Sequence, residues 1–232
     1  MSLKQNLLGD YNVFIKDSTL IPLLNTLQEE YSNKIVFPEK NKVFKAFKAT
    51  PLKDLKIIVL GMDPYPQKGY ATGLAFANPP GVNPISPSLE VIRENIYSNF
   101  YQENYLDMPL GDPYDYQFDY TLETWAKQGV LLLNSALTVV EHLPGSHGNI
   151  WYNFIKELLI NISDTNTGII YFLLGGDAKQ FKSFIGKYNY IFEYEHPAYA
   201  VRKGITWKFE GFVEANRILN KLYNTEIKWL NE

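Results

Sequence analysis

The chain has 232 residues, 46% of them hydrophobic and 15% aromatic, enough apolar mass for the core of one domain. It contains no cysteine, which excludes disulfides, thiolate zinc sites and cysteine-ligated iron–sulfur clusters; with three histidines besides, no metal or cofactor is expected. A net charge of −3 argues against a surface coated all over with nucleic acid while leaving room for one basic face, and no run of about 18 apolar residues marks a membrane span.

The first ten residues lack a basic start followed by a long apolar stretch, so no secretory signal is expected. A cytoplasmic location is, or a nuclear one in a eukaryotic or viral setting. A helix is predicted around Thr19–Tyr31, packed on the outside. Between Lys34 and Lys56 seven lysines stand against Glu39 and Asp54. The apolar run Lys56–Leu60 reads as a buried strand, and it empties into Gly61-Met62-Asp63-Pro64-Tyr65-Pro66. Pro87-Ser88-Leu89-Glu90 opens a helix with Leu89, Ile92 and Ile96 on one face. From Glu103 to Glu123 there are six acids and no Lys or Arg, in a Tyr-, Pro- and Gly-rich stretch that reads as a long loop or insertion.

Further strands are predicted at Val130–Asn134, Ile169–Leu174 and Tyr190–Tyr194. Helical patterns lie at Ile150–Ile162, from Asp177 onward with Ala178, Phe181 and Ile185 inward, and at Phe209–Tyr223. Strand–helix alternation predicts an α/β fold: one domain over 1–232, three α/β/α layers, and a central four-stranded, mainly parallel twisted sheet.

In such sheets ligands bind beyond the carboxyl ends of the strands. The residues at the end of each run are therefore informative: Asp63 after the first, Asn134 ending the second, Gly175-Gly176 after the third, His196-Pro197 after the fourth. Asp63 is at home in an ordinary turn, yet Pro64 and Pro66 stiffen its backbone as a fixed carboxylate would require. Asn134 either satisfies loop backbone or reads a base edge that sets N–H beside C=O, as uracil and thymine do; cytosine presents the reverse. Phe76, in "GLAFAN", is either core or a stacking platform for a flat ring, worth about 1–3 kcal/mol per base. His196 is either structural or a donor to a developing oxyanion. His142 and His147 lie in a Gly/Pro loop and receive no chemistry. Pro87-Ser88 and Gly175-Gly176 precede helices, where small residues suit phosphate. Arg202, Lys203 and Lys208 are surface charges or contacts to a nucleic-acid backbone.

These segments, in this order, resemble the family 1 uracil-DNA glycosylases. "GMDPYP" is similar to the family's water-activating loop Gly-Gln-Asp-Pro-Tyr-His, "GLAFAN" to its uracil-stacking segment, and "ISPSL" to its Pro-rich phosphate loop. "LETWAKQGVLLLNSALTV" resembles its uracil-recognition strand, "FLLGGDAKQF" its Gly-Ser loop, and "EHPAYAVRKG" its His-Pro-Ser loop. The likeness runs from about Phe37 to the final "IKWLN". It implies that uracil is flipped out of DNA into a dry pocket and its N-glycosidic bond hydrolysed, leaving an abasic site, the first step of base excision repair. In that scheme Phe76 stacks on the base, Asn134 reads N3–H and O4, and Tyr65 excludes thymine's methyl. His196 and loop N–H groups, that of Met62 or Asp63 among them, stabilise O2. Asp63 supports the sugar cation and orients water, while Pro87, Ser88, Gly175, Gly176, Tyr199 and Arg202 meet DNA.

The sequence departs from the family pattern in places. Pro66 stands where the family has His, which removes a supporting hydrogen bond. Gly176 replaces the Ser of the Gly-Ser loop. The intercalating Leu after the His is missing, leaving Tyr199, Ala200 or Val201 to fill the vacated stack, with Tyr199 preferred. The acidic stretch 103–123 is expected off the DNA face, since carboxylates repel phosphates. The expected partner is uracil-containing DNA, single- or double-stranded, with a protein inhibitor or replication partner besides; the chain is expected to be a monomer without membrane association. The alternative is a DNA-binding accessory subunit of replication with the same fold and weak or no glycosylase activity.

Overall fold

Unbroken apolar strands need cover on both faces, and helices provide it. The computed structural model of the protein describes residues 2–101 and 118–231. A short helix α1 (Leu3–Leu8) leads through a 3-10 turn into α2 (Asp17–Asn33), which buries Leu20, Leu23 and Leu27. The two-residue strand β1 (Val36–Phe37) and helix α3 (Lys45–Ala49) precede the first core strand, β2 (Ile57–Gly61). Then come α4 (Pro87–Tyr101), α5 (Glu123–Lys127), β3 (Val130–Asn134), β4 (Val139–Val140) and α6 (Gly148–Thr165). The chain continues through β5 (Ile170–Leu174), α7 (Gly176–Lys179), β6 (Tyr190–Tyr194), α8 (Pro197–Lys203) and α9 (Gly211–Tyr223).

The main sheet is four-stranded and parallel, in the order β3-β2-β5-β6. Every residue of β2, β3 and β5 is buried, whereas the edge strand β6 is half-buried. On β5, Phe172 packs edge-on against Phe209 and Phe212, with Trp229 close behind. A second aromatic cluster, Phe44, Phe47, Trp151 and Phe154, joins α3 to α6. The small β1–β4 ribbon is antiparallel, Val36 opposite Val140 and Phe37 opposite Val139.

The first core strand, β2, lies between β3 on one side and β5 on the other, so the chain reverses direction across the sheet at β2. Strand reversals of this kind open a crevice at the carboxyl ends of the strands. Register puts Gly61 directly beside Asn134, and Leu174 beside Tyr194. The loops carrying Asp63, Asn134, Gly175 and His196 therefore leave the sheet on one edge.

The four core strands and α2, α4, α6 and α9 stand where the hydrophobic pattern predicts, their ends shifted by no more than three residues. The helix predicted from Asp177 through Ile185 is instead α7, of four residues, and a separate 3-10 turn Lys182–Phe184. Phe181 and Phe184 both meet Tyr152 of α6, and side chains three apart eclipse in a 3-10 turn. The pattern does not reveal α8, although His196-Pro197 at its start and Gly204 in the left-handed region at its end are ordinary boundary signals. Of the acidic stretch, Asp119 accepts the Thr121 and Thr124 N–H groups, both at 2.9 Å, and Glu123 pairs with Lys45 at 2.8 Å. Glu103, Asp107, Asp112 and Asp115 lie outside the described residues, and so does the expectation that this stretch avoids DNA.

Candidate active site

The loop after β2 is stapled to the segment after β3. The Gly61 carbonyl accepts Ser135 N–H at 3.0 Å, and the Met62 carbonyl accepts Ala136 N–H at 3.0 Å and the Ser135 hydroxyl at 2.7 Å. Pro66 offers its carbonyl to His142 N–H at 3.0 Å, so this position still braces the loop although its side chain cannot. Asp63 Oδ2 accepts Gly145 N–H at 2.6 Å. Burial pushes the Asp63 carboxyl up to about 6, helped by the nearby Asp177 charge and opposed by the Gly145 N–H. At neutral pH the carboxylate is still mostly ionised, and it is poised rather than inert.

Phe76 has φ 66°, unusual for a residue with a side chain and worth about 1–3 kcal/mol of strain. Its carbonyl accepts the Tyr65 hydroxyl at 2.8 Å, that hydroxyl accepts Ser86 Oγ–H at 2.6 Å, and Asn78 bonds Ser86 through both ends of its amide. Tyr65 thus holds the backbone that turns the Phe76 ring inward. The ring is 7% exposed and lies 5.4 Å from the His196 ring. Asn134 is 8% exposed, and its amide has no hydrogen-bond partner among the described residues. A Cβ on Gly61 would fall 2.6 Å from Asn134 Oδ1 and 2.9 Å from Phe76 Cζ, so only glycine lets these two side chains converge.

His196 caps α8: its Nδ1 accepts Ala198 N–H at 3.1 Å. Burial, then the Arg202 charge, pulls its imidazole down to about 4. The ring is therefore neutral at physiological pH, and with Nδ1 occupied as an acceptor the proton resides on Nε2, a donor. Gly175 (φ +96°) would place a Cβ 2.9 Å from His196 Cβ, so the glycine makes room for the imidazole; a Cβ on Gly176 would meet nothing.

A crevice of about 330 Å³, a size suited to a small ligand, is lined by Met62, Asp63, Tyr65, Phe76, Asn134 and His196 together. Ser88, Gly175, Gly176, Tyr199 and Arg202 form its rim; Pro87 does not line it but opens α4 immediately before Ser88. Arg202 is the one Lys or Arg among its lining residues; of the lysines between 34 and 56, three instead pair with Glu30, Glu39 and Glu123. Lys203 lies 6.0 Å from the Tyr199 ring. Ala200 is buried and is thereby removed from the three candidates for the vacated stack; Tyr199 and Val201 are exposed. A larger depression of about 760 Å³ between α2 and α6 gathers none of the predicted site residues.

Sequence reasoning misses four contributors. Gly145 holds Asp63, Ser86 and Asn78 lock Tyr65, and Asp177 adds a carboxylate to a crevice that Asp63 and Glu195 also line. In the sequence Asp177 reads only as a helix start, and the Gly145 loop only as a turn; neither bears a local signal of contact with Asp63. His142 lines no part of the crevice, and His147 is buried beneath the loop.

A sequence model described as the Uracil DNA glycosylase superfamily matches residues 47–220. A uracil-DNA glycosylase of Campylobacter lari is 38% identical over 223 residues, covering 93% of this chain and 91% of its own. One from Fusobacterium nucleatum is 37% identical over 212 residues, covering 90% and 88%. Among solved structures, mimivirus uracil-DNA glycosylase superposes with a TM-score of 0.70 at 20% identity over 97% of this chain and 90% of that one. A mimivirus UNG variant in complex with UGI reaches 0.77 at 22% identity over 99% and 88%. These structural matches establish the shared fold.

Proposed function

The chain belongs to the uracil DNA glycosylase superfamily, and from that premise we propose that the crevice at the carboxyl edge of its sheet is where uracil is cut from DNA. The activity is a monofunctional one: water replaces the base at C1′ of deoxyribose, the N-glycosidic bond breaks, and an abasic site remains for base excision repair.

The observation that carries the assignment to this crevice is the Asn134 amide. It is almost wholly buried, faces the Phe76 ring across Gly61, and has its hydrogen-bonding capacity unspent among the described residues. The amide opens onto the crevice, so a ligand whose edge sets N–H beside C=O can take up its acceptor and its donor together. Uracil offers that edge: its N3–H donates to Oδ1 and its O4 accepts from Nδ2. Phe76 stacks on the ring, and Tyr65, fixed through its hydroxyl, occupies the space beside C5 where thymine carries a methyl.

As the glycosidic bond lengthens, charge separates. The sugar becomes cationic and the departing uracil anionic at O2. Nε2–H of neutral His196, with the N–H of Met62 or Asp63, donates to O2; a neutral donor already in place needs no reorganisation when charge develops. The Asp63 carboxylate, held by Gly145 N–H, stabilises the cation and orients the water that captures it. Ser88, Gly175 and Gly176 offer N–H or hydroxyl donors to phosphates flanking the flipped nucleotide, and Arg202 on α8 offers its guanidinium; Pro87, which has no N–H to give, meets the DNA backbone by packing at the start of α4. Tyr199, exposed and lining the crevice, is the residue proposed to enter the gap the base leaves. That a mimivirus UNG variant of this fold was crystallised with UGI supports a protein inhibitor as a further partner for this chain.

The direct test is uracil release from a single-stranded oligonucleotide in EDTA, a substrate that needs no wedge between base pairs. Release establishes substrate, reaction and independence from divalent metal together. Its absence would instead favour the DNA-binding accessory role.

A further inference from the structure

The one protein donor to the Asp63 carboxylate outside its own residue, among the described residues, is Gly145 N–H, on a loop that needs its own support. That support is a buried polar chain beneath the loop. Trp151 Nε1 donates to Thr138 Oγ1 at 2.7 Å, and Thr138 Oγ1 lies 2.7 Å from His147 Nδ1. His147 Nε2 lies 3.1 Å from Glu30 Oε2, on α2, and Lys34 grips the same carboxylate at 2.7 Å.

The proton positions follow from the donors. Trp151 can only donate, so Thr138 accepts from it, and its own hydroxyl hydrogen is left to turn to Nδ1 of a neutral ring. Glu30 can only accept when ionised, so the imidazole proton is on Nε2. His147 is then neutral with both nitrogens engaged, and burial, its largest influence, also favours the neutral ring. Every member of the chain is satisfied, which makes the chain rigid. Its loop end is two residues from Gly145, whose carbonyl accepts Gly148 N–H at 3.2 Å at the start of α6.

We propose that His147 is a positioning residue: clamped between Thr138 and Glu30, it fixes the loop whose Gly145 N–H holds Asp63 in its productive place. The outer helix α2, remote in sequence from the crevice, thereby takes part in catalysis. This inference rests on the reading of Asp63 as the group that stabilises the sugar cation.

The test is single-turnover uracil release, with DNA affinity measured separately, for His147→Ala in the wild-type and Asp63→Asn backgrounds. Small misplacements of catalytic groups reduce rates by up to about a hundredfold, so a fall of about tenfold in rate with unchanged DNA affinity is expected in the wild-type background. In the Asp63→Asn background the same change should add nothing, because the group it positions is already disabled. Glu30→Ala should show a smaller loss of the same kind, and Glu30→Gln, which keeps an acceptor, should recover most of it. An equal fold-loss in both backgrounds would mean that His147 serves only the general fold, and would overturn the proposal while leaving Asp63's role intact. Should Asp63→Asn alone leave turnover unchanged, the underlying reading fails first, and this one with it. If His147→Ala does not fold, the Glu30 variants, on the outer helix, decide the matter by the same comparison.

Discussion

A carboxylate raised by burial is a stored destabilisation, and Asp63→Asn should release it. The carboxyl stands at about 6 in the folded protein against an ordinary value of 3.8. The folded state therefore binds more protons than the unfolded state between these values, and stability falls as pH rises through that window, then stays flat above it. The folded chain bears a penalty of about 3 kcal/mol at pH 8 but only about 1 kcal/mol at pH 4.5, with the first figure a ceiling because the group opens onto a crevice. Asn keeps the shape and can still accept Gly145 N–H through Oδ1, so the variant removes the charge with little else. At pH 8 it should melt several degrees above wild type, since each kcal/mol moves a domain of this size by about 2–4 °C. The gap should shrink by more than half at pH 4.5. Turnover on a uracil oligonucleotide should meanwhile drop by at least about a hundredfold with little change in DNA affinity. Thermal melts at the two pH values, beside rate and affinity measurements, check both halves. A variant no more stable than wild type at pH 8, or a gap independent of pH, would refute the claim that Asp63 is held charged against its environment.

Gly61→Ala should push Asn134 and Phe76 apart, because the new methyl would sit 2.6 Å and 2.9 Å from them; uracil release should fall steeply while far-ultraviolet circular dichroism stays native. Asn134→Asp should admit cytosine, whose edge reverses donor and acceptor, and Tyr65→Ala should admit thymine by vacating the space at C5; base release from oligonucleotides carrying each pyrimidine measures both, and unchanged base choice would remove these residues from the pocket. Tyr199→Ala should slow excision from duplex DNA more than from single strands, since only the duplex requires the vacated stack to be filled; an equal effect on both substrates would assign the wedge elsewhere, with the exposed Val201 next in line.

The three carboxylates that line the crevice bear on how such a site binds a polyanion. Asp63, Asp177 and Glu195 line the same crevice as Arg202, Glu195 paired with Lys179 at 3.1 Å, and no Lys lines it. Phosphate contact must then come largely from backbone N–H groups and hydroxyls, which predicts a shallow dependence of DNA affinity on salt.

Much of this protein is dictated by local pattern. Four continuous apolar runs separated by helical periodicities admit little besides a parallel sheet under helices, because strands buried on both faces cannot be polar on either. The same pattern put Asp63, Asn134, Gly175 and His196 at strand ends, and strand ends in such a sheet share an edge. What local pattern could not decide was which groups touch. That Gly145 holds Asp63 across 82 positions of chain, that Glu30 braces His147 across 117, and that Gly61 is small for the sake of Asn134 and Phe76, are consequences of loops meeting over the sheet. Proton placement on His147 and His196 is of the same kind: composition says only that an imidazole titrates near neutrality, while the tertiary partners of the ring nitrogens select the tautomer, and desolvation, which no residue possesses by itself, removes the charge.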